Sequence, residues 1–375
     1  DDVLTEIDNF NLGTKEFSFD QARILFRPVG DEVEVARGEI RKMILGRTTT
    51  KVDFEVTTDD VLKVVATGSV IDIAPFINKD KKRKKTWKDP NDKGGQAMKI
   101  SLKAERAFTT KDQYLRTAQF YIETDKDADI TRLEVDSKVG KAGDFYVRFK
   151  PENETGERTF RMESTDAGAT LLAFDLYNDI AGGTMLVYGR PQTGNNKGDL
   201  FGTARLENFT VKNAPALARL LGAMSESGMQ EVLKTKGVSF EKLESAFEWR
   251  FRDDGNLLVL KDGRTSGSSL GLTFEGVADM GLSTVDLNGT IIPLSGFNQA
   301  IGDIPLLGTL LTGGSKGGLF AATYTVSGPS KDPKVVVNPL SVLTPGFLRK
   351  ILFEGDVESK PPENKAPIKK KAVSE

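Results

Sequence analysis

The chain has no cysteine and no histidine among its 375 residues. Without thiols there are no disulfides, no thiolate metal sites and no thiol nucleophile. Without imidazole, the usual general base of hydrolases and the commonest transition-metal ligand are missing. Carboxylate, lysine or tyrosine chemistry survives these absences, yet no constellation of such residues stands out. The chain therefore reads as a non-enzyme that holds no metal and no cofactor. Its 52 basic and 54 acidic residues cancel to a formal charge of -2. No global field favours a polyanion, and nucleic acid is not an expected partner. No run reaches the roughly 20 apolar residues that span a bilayer; the nearest, from Phe297 to Leu311, is interrupted by Asp303 and by glycine and proline. The opening DDVLTEIDNF has no signal-peptide character, so the chain is expected to be a piece of a longer protein.

What the sequence does have is alternation. KVDFEV puts Val52, Phe54 and Val56 on one face and Lys51, Asp53 and Glu55 on the other. AFEWRFR sets Phe247, Trp249 and Phe251 against Glu248, Arg250 and Arg252. The pattern recurs at Ile100, Leu102 and Ala104, at Leu133 and Val135, and at Phe145, Val147 and Phe149. It returns at Phe160 and Met162 and at Leu270, Leu272 and Phe274. Clusters of Gly, Asn and Asp separate these runs, which predicts antiparallel hairpins and a sheet with one wet and one dry face. Such a dry face is either an ordinary half-buried core or the lining of a groove for a greasy guest, and periodicity leaves both open.

A second pattern is a strand broken by proline and followed by an apolar segment. ATGSVIDIAPFIN breaks at Pro75, and GTARLENFTVKNAPALARLLGAM breaks at Pro215 before a helix. LNGTIIPLSGFNQAIGDIPLLGTLL carries Pro293, and FAATYTVSGPSKDPKVVVNPLSVLTPGFLRKILF breaks at Pro339 and Pro345. Proline removes a ladder donor and suits the first turn of a helix. Two segments depart from the plan. Residues 78–95, NKDKKRKKTWKDPNDKGG, read as a basic, solvated insertion loop, and residues 355–375 as a disordered charged tail.

Local motifs are weaker. Asp125, Asp127 and Asp129 begin like a calcium loop, but Ile130 stands where the glycine belongs and Asp136 where the closing glutamate belongs, so a solvated turn is expected. GTLLTGGSKGG fails the phosphate-loop spacing.

The segment GLFAATYTVSGPSKDPKVVVNPLSVLTPGFLRKIL, with its Y-x-V-x-G-P-x-x-D-P-x-V-x-V-N-P-L-S core, resembles the C-terminal end of the AsmA-like proteins of Gram-negative bacteria. The YhdP-type branch, related to TamB, is the nearest in character. GTARLENFTVKNAPALARLL looks like the strand and helix that precede it in that family. The likeness covers roughly residues 198–353 and extends by plan alone over residues 1–151; the basic loop and the tail have no counterpart.

The resemblance implies a mainly β fold: a long, twisted antiparallel sheet curled into an open groove, a β-taco or repeating β-groove, with a few short apolar helices near the C-terminal end. It divides into a groove segment over 1–150 and an AsmA-like C-terminal groove segment over 151–354. It implies a periplasmic location within an inner-membrane-anchored protein and transport of phospholipids between inner and outer membrane. The alternative is an assembly scaffold for outer-membrane proteins acting through sheet-edge pairing. The lining would take the alternating residues above together with Leu287, Ile291, Phe320, Ala322, Tyr324, Val326, Val335 and Val337. The segment from Pro345, with Phe347, Leu348, Ile351, Leu352 and Phe353, would be an end-capping or membrane-facing helix.

Overall fold

The computed structural model describes residues 5–13, 17–29, 32–77, 95–152, 156–192, 199–212, 216, 217, 220, 237–252, 255–267, 270–293 and 319–343. These form long strands and two short helices. The predicted terminal helix after Pro345, the tail and residues 78–94 of the basic loop lie outside the described residues.

Two compact units divide the chain. The first takes Asp1–Thr159 and Leu172–Leu176. It holds β1 (Thr5–Gly13), β2 (Phe17–Val29), β3 (Glu32–Leu45), β4 (Thr48–Val56), β5 (Val61–Asp72), α1 (Ala74–Ile77), β6 (Ala97–Phe108), β7 (Tyr114–Thr124), β8 (Ile130–Val139) and β9 (Gly143–Pro151). Each strand pairs with the next in sequence, all antiparallel save one step. That step is β5 to β6, which run in the same direction over eleven registered pairs from Val61↔Ala97 to Asp72↔Phe108.

The parallel step corrects the expectation of hairpins throughout. Parallel neighbours need a crossover, because the chain must return the length of a strand before it starts the next. The described chain leaves off at Ile77 and resumes at Gly95, so the connection between these two parallel strands is not a hairpin turn. Its starting point is firmly tied. Asp72 accepts from the Ala74 amide at 3.1 Å and from Arg47 Nε at 2.9 Å. Arg47 also donates to the carbonyls of Thr110 and Lys111 and lies 4.4 Å over the Phe108 ring.

The second unit takes Phe160–Leu171 and continues from Tyr177. It holds β10 (Arg158–Ser164), whose last five residues fall in this unit, and β11 (Ile180–Pro191), β12 (Leu200–Val211), β13 (Val238–Arg250), β14 (Leu257–Ser266), β15 (Leu270–Asp279), β16 (Thr284–Pro293), β17 (Leu319–Pro329) and β18 (Lys334–Leu343). All its registered pairs are antiparallel and sequential. In neither unit is a first strand registered against a last, so among the described residues neither closes into a barrel. The second helix, α2 (Ala167–Ala173), gives its first five residues to this unit and its last two to the first.

The proline breaks fare unequally. Pro75 lies in the single turn of α1, and Pro293 is the last residue of β16. After the break at Pro215, Ala216, Leu217 and Leu220 are helical. Pro339, by contrast, does not end its strand: it pairs with Ala322, and β18 runs on to Leu343.

Candidate functional site: two apolar sheet faces

Directly opposed residues in a sheet project from the same face, so the register lists the side chains that share a surface. In the first unit, Phe10, Ala22, Ile40, Val52, Ala66, Leu102, Phe120, Val135 and Val147 are successive partners, one from each of β1 to β9. A second row beside it runs Ile7, Ile24, Gly38, Phe54, Val64, Ile100, Ile122, Leu133, Phe149. Neither row contains a polar side chain. Val56 begins a third with Leu62, Met98, Thr124 and Ile130.

The reverse face is charged. Arg23, Glu39, Asp53, Val65, Ser101, Tyr121, Glu134 and Arg148 are the corresponding partners there. Lys51 bridges Glu39 at 3.1 Å and Asp53 at 3.3 Å, and Arg148 meets Asp136 at 2.7 Å. Burial alone would raise the Glu134 carboxyl, but the Arg132 hydrogen bond and the charges of Arg132 and Arg148 hold it below its ordinary value. Burial, then the Glu123 hydrogen bond, pushes the Tyr121 phenol up to about 12.

The second unit repeats the arrangement. Phe160, Gly189, Gly202, Phe247, Leu260, Gly276, Leu287, Val326 and Val335 form a row across β10 to β18 without one polar side chain. Pro191, Leu200, Trp249, Leu258, Ala278, Val285 and Gly328 form another. A third contains Ser164, Met185, Leu206, Leu243, Thr265, Leu272, Ile291 and Ala322; of its two hydroxyls, that of Thr265 donates to the Lys242 carbonyl at 2.9 Å and that of Ser164 to the Asp166 carbonyl at 3.0 Å. On the reverse face Glu244 lies between Arg205 at 2.7 Å, Lys242 at 2.9 Å and Arg264 at 3.3 Å.

The faces are unevenly filled. In the second unit, Ala167 and Leu171 of α2 and helical Ala216, Leu217 and Leu220 belong to one core with Met185, Leu206, Leu270 and Ile291, so that margin is plugged by the chain itself. Trp249, Leu258, Leu260, Val285 and Leu287 are only half-buried. In the first unit Phe145 is 2% exposed and its ring packs 5.3 Å from that of Phe174, which fills the corresponding corner. Phe54, Ile100, Leu102, Leu133 and Phe149 are half-buried.

Of the residues singled out in the sequence, Val52, Phe54, Val56, Ile100, Leu102, Leu133, Val135, Phe145, Val147 and Phe149 share the dry face of the first unit. Phe160, Met162, Phe247, Trp249, Leu270, Leu272, Phe274, Leu287, Ile291, Ala322, Tyr324, Val326, Val335 and Val337 share that of the second. Phe251 lies past the end of β13, is 54% exposed and stacks on Trp249 at 6.1 Å. The Phe320 side chain and the residues from Pro345 to Phe353 lie outside the described ones. Sequence reading missed Phe10, Ala22, Ile24 and Ile40, along with Phe120, Ile122, Leu258 and Leu260. Bulges hid most of them: Gln21, Thr117 and Asp262 sit at positive φ within strands, and the alternation changes phase there.

The Asp125 carboxylate accepts from the amides of Asp127 and Asp129, both at 3.0 Å, which makes the turn between β7 and β8 self-sufficient. Among the described residues no group of His, Cys, Asp and Glu could hold a metal ion, and no helix is long and apolar enough to cross a membrane. No family model, curated protein or solved structure matches the chain.

Proposed function

We propose that the apolar faces conduct the acyl chains of phospholipids between the inner and outer membranes of a Gram-negative envelope. The chain would be the periplasmic part of an AsmA-like protein of the YhdP type, anchored in the inner membrane by a segment elsewhere in the parent. The observation that carries this reading is the set of rows, three of them nine strands long and one seven, with no polar side chain, backed by a reverse face of ion pairs.

Physical economy favours that assignment. Moving a two-tailed phospholipid through water exposes roughly 30 methylenes at ~0.8 kcal/mol each, a barrier on the order of 24 kcal/mol. A continuous dry surface removes most of that barrier while the headgroup stays wet. No bond is made or broken, so the task has no use for histidine or cysteine.

The test is extraction of the purified chain with organic solvent, followed by mass spectrometry of the extract. Phospholipid is expected, and Leu102→Arg or Leu272→Arg should remove most of it, because each sets a charge in the middle of a row. A clean wild-type extract combined with binding of an extended outer-membrane-protein peptide would favour the edge-pairing scaffold instead.

A further inference from the structure

On each dry face an aromatic ring lies down over a glycine. Gly38 and Phe54 are direct partners in the first unit, and Gly263 and Phe274 in the second. A Cβ on Gly38 would sit 2.4 Å from Phe54 Cζ. At Gly263 the three nearest atoms all belong to the Phe274 ring, the closest at 2.2 Å. Each ring therefore occupies the space that any other residue would give to its own side chain. Neither residue has the positive φ seen at Gly182, Gly183 or Gly276; at Gly263 the ring alone stands in the way of a Cβ, while at Gly38 the Arg23 carbonyl oxygen would also lie 2.9 Å from it. What the glycines permit is the posture of their partners.

Posture sets the height of the surface. A ring flat on the sheet adds about one van der Waals layer, ~3.5–4 Å, whereas an upright ring projects further into the space above. Phe54 shares its row with one other ring, Phe149, and Phe274 shares its row with Tyr324, so the posture of the rings sets the clearance in both rows. We infer that Gly38–Phe54 and Gly263–Phe274 are specificity-determining pairs. They keep the faces low enough for an acyl chain to lie across them. The inference rests on the acyl-chain reading above and adds the residues that gauge the passage.

Binding of the fluorescent fatty acid cis-parinaric acid to the full chain tests it. Gly263→Ala lifts the Phe274 ring and should weaken the probe about tenfold. The double variant Gly263→Ala with Phe274→Leu removes the ring that was lifted and should recover wild-type affinity. Gly38→Ala should weaken the probe likewise, and Phe54→Leu should rescue it only in part, because the Arg23 carbonyl oxygen stays 2.9 Å from the new Cβ. The gauge is refuted if Gly263→Ala binds as wild type does, or if the double variant is no better than the single one. Wild-type protein that takes up no probe would overturn the acyl-chain reading itself, and that result is visible before any variant is made.

Discussion

Single side chains do two kinds of work in these sheets. Tyr324 reaches from β17 over Gly289 of β16, and its hydroxyl donates to the Thr273 carbonyl of β15 at 2.7 Å. Burial pushes its phenol far above the ordinary value, which keeps it protonated and donating. Tyr324→Phe should cost about 1 kcal/mol by urea denaturation, the net worth of one hydrogen bond. On the wet side, burial would raise the Glu244 carboxyl, but the Lys242 hydrogen bond and the charges of Lys242 and Arg205 lower it below 4.5. A depressed folded pKa means a stabilisation present above the unfolded value and lost as pH falls through the folded one. Thermal melts from pH 7 to pH 2 should therefore show a decline beginning below about pH 4.5, and Glu244→Gln should flatten part of it. Much of this scale was legible beforehand. Val52, Phe54 and Val56 alternate in an undisturbed strand, and they fall on one face. Ala22 and Ile24 escaped because Gln21 interrupts β2 at φ 53°, and a single such residue reverses which parity is dry.

At the scale of elements, the strands and most of their breaks follow from alternation and proline, while the direction of β6 does not. Nothing in VLKVVATGSVID or AMKISLKAERAF distinguishes a parallel from an antiparallel neighbour, because both present the same alternating face. The crossover makes a sharp prediction. Excising residues 79–94 leaves nine peptide steps between Asp72 and Ala97, at most about 32 Å. The eleven-residue offset between the ends of β6 requires about 36 Å, so parallel pairing should be lost, with the β6 amides that face β5 losing protection from hydrogen–deuterium exchange while those bonded to β7 keep theirs. Replacing the lysines of this segment by serine at constant length should leave that protection intact. Pro339 teaches the complementary lesson. It falls in β18 at a place where a missing donor is tolerated, and the register opposite it slips between Leu319 and Ala321.

For the whole molecule, the decisive property is that each unit carries its own core, one around Ala22, Ile40, Val52 and Ala66 and the other around Leu206, Phe240, Leu270 and Ile291. Two such cores need not melt together. With Trp87→Phe, the remaining Trp249 reports on the second unit alone. Its fluorescence transition in urea should separate from the far-UV circular dichroism transition, which averages both units.

The lone same-direction step also decides where the chain leaves the first unit. Nine strands folded strictly back and forth would have released it beside Gly13; instead β9 ends at Pro151, level with the start of β1. The far rim is thus left without an outgoing segment. Its closure falls to a visitor from later in the sequence, the Ala173 carbonyl accepting from the Thr109 hydroxyl and the Phe174 ring settling on Phe145. A reversal of direction in mid-sheet thus leaves that corner to the end of a seven-residue helix far downstream, the Thr109–Ala173 bond spanning 64 residues of chain.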